Sequence, residues 1–78
     1  MAEFDRAISD CNKAIEINPK YVEAYKNRGV AYYFKEQYSK AWIDVFKVQS
    51  LGGQVSPGFI KSLCKASGKQ NKICQQIE

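Results

Sequence analysis

Phe4, Ala7, Ile8, Cys11, Ala14 and Ile15 recur at steps of three and four, the period of one face of an α-helix. Asn18-Pro19 closes that helix, because the residue before a proline is pushed out of the α region. Ala24, Tyr25, Arg28, Gly29, Ala31 and Tyr32 form a second periodic set in a proline-free run from about Val22 to Lys35. A third set, Tyr38, Ala41, Trp42, Val45, Val48 and Leu51, stops at Gly52-Gly53. Ser56-Pro57 reads as an N-cap followed by proline at the first helical position. It opens a fourth helix with Phe59, Ile60, Leu63 and Cys64 on one face, ended by Gly68. Ile73 and Ile77 allow one weak further turn. No β-type alternation of useful length occurs, so the predicted class is all-α.

The first and third helices are copies of one element. A shift of 34 places Phe4 on Tyr38, Ala7 on Ala41, Asp10 on Asp44, Lys13 on Lys47, Ala14 on Val48 and Ile17 on Leu51. The fourth helix begins as a copy of the second, with Phe59 on Tyr25, and then departs: Leu63 replaces Gly29 and Ala66 replaces Tyr32. Gly29 and Ala41 are small where two antiparallel helices approach, and Tyr25, Tyr32 and Tyr38 fill the space between successive pairs. Eight of the ten aromatics lie between Tyr21 and Phe46, which predicts the densest packing within residues 21–55. Asp10 and Asp44 read as one surface position in two units.

A helix–turn–helix unit with this period resembles the tetratricopeptide repeat. Tyr25, Gly29, Tyr32, Tyr38 and Ala41 carry the resemblance, and Ala24 through Tyr32 is close to a common family form. Phe4-Asp5-Arg6-Ala7 through Asn18-Pro19 resembles the second helix and closing proline of a preceding repeat, so the likeness covers about residues 1–55. Glu36 stands where the turn usually has glycine, Val45 where an aromatic is common, and Gly53 where the closing proline belongs. The resemblance implies an α-solenoid: 1–20 the second helix of a truncated repeat, 21–55 a complete repeat, 56–67 a capping helix with Lys61, Ser62 and Lys65 outward, and 68–78 a basic tail. It also implies the C-terminal piece of a longer array. The apolar side of Phe4, Ile8, Cys11 and Ile15 is then partly uncovered, which invites a homodimer, face to face or by exchange of a helix pair.

The family's ligand-contacting positions map onto Glu23, Lys26, Asn27, Val30, Tyr33 and Phe34, whose spacing shares one helix face. Val30, Tyr33 and Phe34 are apolar there, as a groove for a partner protein or peptide requires, although Tyr33 and Phe34 also suit packing against neighbouring helices. An Asn at the Asn27 position helps clamp a peptide carboxylate in some chaperone adaptors. Pro57 and Lys61 stand where that clamp needs two cations, so the structural role of Asn27, bracing the helix pair, is favoured.

Composition narrows the rest. The chain has 78 residues, enough for one small domain, and no apolar run near the ~20 residues of a membrane span. Residues 1–51 carry eight Lys/Arg against seven Asp/Glu, whereas residues 52–78 carry four Lys and only Glu78. The basic tail, with Lys61, Lys65, Lys69 and Lys72 at helical steps, reads as a solvated face rather than a nucleic-acid site, because it has neither Arg nor aromatics. There is no His, no phosphate-cradling loop and no carboxylate pair with reason to be buried, so neither an enzyme nor a cofactor is expected. Cys11, Cys64 and Cys74 lack a fourth zinc ligand. They are read as idle thiols of a reducing, cytoplasmic setting, with a Cys64–Cys74 bridge as the alternative.

Overall fold

The computed structural model describes residues 2–68 and Cys74. Four helices follow in order: α1 (Ala2–Ile17), α2 (Val22–Phe34), α3 (Tyr38–Ser50) and α4 (Pro57–Ser67), with no strand among the described residues. They match the predicted segments to within a residue or two. Pro57 occupies the first turn of α4 and Gly68, at φ 83°, ends it. Ser56 sits at the N-cap but makes no side-chain capping bond, so it contributes only its carbonyl, which accepts from the Ile60 amide at 3.1 Å. Apart from helical Cys74, the tail lies outside the described residues.

α2 packs between α1 and α3, and α4 lies on α3. Gly29 permits the α2–α3 approach: a Cβ there would stand 3.3 Å from the Asp44 Cβ and 3.7 Å from the Ala41 carbonyl oxygen. After α3 the chain folds back so tightly that a Cβ on Gly53 would meet Val22 Cγ1 at 2.7 Å and Val48 Cγ1 at 3.0 Å. That contact explains the absence of the expected proline, since any side chain here collides with two valines.

Buried side chains concentrate within residues 21–55, as the aromatics predict: Ala24, Tyr25, Ala31, Ala41, Trp42, Val45 and Val48 are all buried. Ala41, Trp42 and Val45 of α3 pack with Ile60, Leu63 and Cys64 of α4 and with Cys74. Tyr32, Tyr33, Tyr38, Val55 and Phe59 only border this cluster, half-buried. The buried cluster thus extends from α3 onto α4. Apart from Trp42, small and aliphatic side chains fill it, whereas the bordering rings stay partly in water at its edges.

Cys64 and Cys74 form a disulfide, and buried Cys11 is the free thiol among the described residues. The idle-thiol reading therefore holds for Cys11 alone, and the ground for expecting a reducing cytoplasm is removed, since such bridges persist in oxidising compartments. The bridge ties Cys74 into the core across a separation of ten residues. Closing a loop of that size stabilises by about 2–3 kcal/mol on the chain-entropy account. Reductant is expected to lower the urea midpoint accordingly, and a Cys64→Ser/Cys74→Ser variant to show the same midpoint with or without reductant. A wild-type midpoint indifferent to reductant would refute the clip.

Glu36, in the α2–α3 turn, has φ 62°, the left-handed region. Side-chain crowding there costs about 1–2 kcal/mol, and glycine avoids it at an entropic cost of about 0.5–1 kcal/mol. Glu36→Gly is expected to stabilise the fold by about 0.5–1 kcal/mol, raising the melting temperature by roughly 3–6 °C. A lower melting temperature would show that the turn needs the glutamate.

Candidate functional site

α2 buries Ala24, Tyr25, Gly29 and Ala31 and so turns a different set outward. Glu23, Asn27, Val30 and Phe34 are exposed, and Lys26 and Tyr33 are half-buried. All six sites expected from the sequence thus lie on or beside one accessible face, but they play different parts. Lys26 Nζ stands 3.5 Å from Glu23 Oε1, an exposed pair one turn apart that adds little stability and leaves both groups reachable.

Asn27 is exposed and makes no side-chain hydrogen bond among the described residues. Its neighbour Arg28 braces the helix pair. The Arg28 guanidinium grips Asp44 in a fork, Nε donating to Oδ2 at 2.9 Å and Nη2 to Oδ1 at 2.6 Å. Nη1 donates to Asn12 Oδ1 at 2.8 Å, so one side chain joins α1, α2 and α3. Asp44 is 1% exposed, which corrects its reading as a surface position, whereas Asp10 is exposed as expected. The hydrogen bond to Asp44 holds the Arg28 pKa above its ordinary value, against the opposing effect of burial. Arg28 also lies 5.4 Å from the Tyr25 ring centre and 5.9 Å from that of Tyr32. At the open end of the pair Lys35 bonds Asp5, and that contact holds the Asp5 carboxyl below its usual pKa.

Aromatic rings run across the outward face from α1 to α4. Phe4 stacks on Phe34 at 5.3 Å, Phe34 meets the edge of Tyr33 at 5.3 Å, and Tyr33 meets Phe59 edge-on at 5.5 Å. Tyr33 also lies 5.9 Å from Tyr38. Tyr33 is therefore engaged in holding α4 against α2, which leaves less of it for a ligand. Phe34, 58% exposed, keeps most of its surface free.

Lys26 and Val30 border a hollow of about 90 Å³ whose other walls are Tyr25, Gly29, Val45, Val48, Val55 and Phe59. Val55, Ser56 and Phe59 are its contributors from beyond α3, and the sequence pattern gave them no site role. The pairing of Phe59 with Tyr25 at the 34-residue shift is the signal that could have found Phe59, since both line this hollow. Glu23, Asn27, Tyr33 and Phe34 do not line this hollow.

Lys61 and Lys65 are exposed on α4, but α4 stops at Ser67, so the lysine row does not continue as one helix through Gly68. Lys69 and Lys72 lie outside the described residues. Desolvation pushes the Cys11 thiol pKa up, which keeps it protonated and unreactive. Among the described residues no three metal-ligating side chains gather, and no helix is long and apolar enough to cross a membrane.

Residues 3–35, which span α1, the turn and α2, match the family model described as TPR repeat. Neither a curated protein nor a solved structure matches the chain significantly.

Proposed function

We propose, for a chain that belongs to the tetratricopeptide-repeat family, that the outward face of α2 holds a segment of a partner protein. Repeats of this family are generally protein–protein interaction modules, without chemistry of their own. The observation that carries the proposal is the placement of Val30 and Phe34. Both are apolar and exposed on a helix whose other apolar residues are buried or half-buried, and they stand beside Lys26, Asn27 and a hollow large enough for one aliphatic side chain. A helical surface already in place binds with little ordering cost on its own side. One such helix offers a small area, so affinity for a short peptide is weak and a larger partner surface is needed for stable binding.

Affinity capture with nuclease-treated extract at two salt concentrations tests this, using wild type beside Lys26→Ala/Val30→Asp. A protein partner retained at high salt and lost in the variant is the expected result. Retention of every partner by the variant would sink the proposal, as would steep loss with salt, which marks nucleic-acid binding through the lysine-rich end.

Self-association is a second reading, and Ile17 favours it. The structure buries Cys11 and half-buries Phe4, Ile8 and Ile15, so the uncovered patch is smaller than expected along most of α1. It concentrates instead at the end of α1, where Ile17 is 86% exposed and borders a hollow with Ala14, Asn18 and Tyr21. Light scattering decides this reading: a mass that rises with concentration and falls to the monomer in Ile17→Asp supports it, and a monomer at high micromolar concentration removes it.

A further inference from the structure

α1 and α3 are two copies of one element, and comparing them position by position separates what the fold needs from what it does not. Inward positions keep their character: half-buried Ala7 corresponds to buried Ala41, and buried Cys11 to buried Val45. The outer face does not. Where α1 has Ser9 and Asn12, both exposed, α3 has Ile43 and Phe46. Ile43 is 63% exposed and Phe46 is 43% exposed, although Phe46 lies 5.7 Å from the Trp42 ring and shields it in part. The first copy folds with polar groups at these places, so packing alone does not call for the apolar ones in the second.

Ile43 and Phe46 border an open hollow of about 440 Å³ with Tyr25, Arg28, Lys47 and Ser50. Asp44 also lines it, but the exposed charge at it and beside it is positive. Lys40 and Lys47 stand one turn to either side of Ile43, and both are exposed. Asp44, the acidic residue of α3, is buried beneath the Arg28 fork and offers an incoming group no free charge. A strip of apolar side chains flanked by lysines suits a helix with the opposite pattern.

We propose that the outer face of α3 is a second docking surface, separate from the outward face of α2, and that its occupant is an acidic amphipathic helix of a partner protein. Leucine-type side chains of that helix lie on Ile43 and Phe46, and its flanking carboxylates meet Lys40 and Lys47.

The probe is a fluorescein-labelled 18-residue helical peptide with leucines three and four apart and glutamates beside them, with a lysine-flanked version as its control. Fluorescence anisotropy with wild type is expected to show the glutamate peptide binding at least tenfold more tightly than the lysine one. Ile43→Ser/Phe46→Asn, which gives α3 the outer face of α1, should weaken binding tenfold or more. Ile43→Ser alone should weaken it severalfold with an unchanged thermal melt, which separates lost contact from the loss of the Trp42 shield. Lys40→Glu/Lys47→Glu should abolish the preference for the glutamate peptide, while Lys26→Ala/Val30→Asp should bind as wild type does. Equal binding of both peptides, or no weakening in Ile43→Ser, would overturn the proposal. So would a protein that dimerises without peptide and becomes monomeric in Ile43→Ser, because the occupant would then be a second copy.

Discussion

Arg28→Ala is expected to cost about 3–5 kcal/mol, the loss that follows when one partner of a buried ion pair is removed. The magnitude comes from what remains. Asp44 is 1% exposed, and both of its oxygens accept from Arg28. Without the guanidinium the carboxylate stands uncompensated between α2 and α3. A 78-residue chain has roughly 4–12 kcal/mol of stability in all, so this one change removes about a quarter of it or more. Arg28→Met/Asp44→Ala should recover most of the loss, because replacing both members of such a pair by apolar groups is often close to neutral. Urea denaturation of the two single variants and the double variant measures this directly. A loss under about 1 kcal/mol in Arg28→Ala would show that Asp44 finds water or another donor.

Leu63→Ala should cost about 2–5 kcal/mol, the range for a deleted leucine side chain in a core that cannot fully collapse. Leu63 is fully buried among Ala41, Trp42, Val45 and the Cys64–Cys74 bridge, which limits how far α4 can move to fill the space. Trp42 reports on the event locally, since its Nε1 donates to Ser67 Oγ at 2.9 Å near the end of α4. Tryptophan emission should therefore shift to the red along with the loss of stability. A stable variant with unshifted emission would mean that α4 contributes little to the core.

The boundaries of the helices were legible because they depend on local chemistry: Asn18-Pro19 at the end of α1, and Gly68 at the end of α4. The 34-residue correspondence located the repeat for the same reason. It could not locate burial. Asp10 and Asp44 occupy equivalent positions, yet Arg28 reaches from α2 to cover only the second, so equivalent residues met different surroundings. The aromatic count located the densest packing within residues 21–55, but not the part that α4 and Cys74 add to the core. The bridge could be named only as an alternative: a spacing of ten residues across a helix end does not fix whether the two Cα atoms come within the observed 5.5 Å. The contact positions of α2 came from the tetratricopeptide resemblance and spacing put them on one face, but the engagement of Tyr33 with Phe59 needed the position of α4.

Site-directed photocrosslinking tests the central claim, that α2 presents the partner-binding face, more directly than any change in affinity. A photoreactive side chain is placed at Val30 and, in a separate protein, at Ser9 on the exposed side of α1. The expected result is a crosslinked partner protein from position 30, absent from position 9 and lost when Lys26→Ala is added. Equal crosslinking from both positions, or adducts from position 30 made only of two copies of this chain, would contradict it.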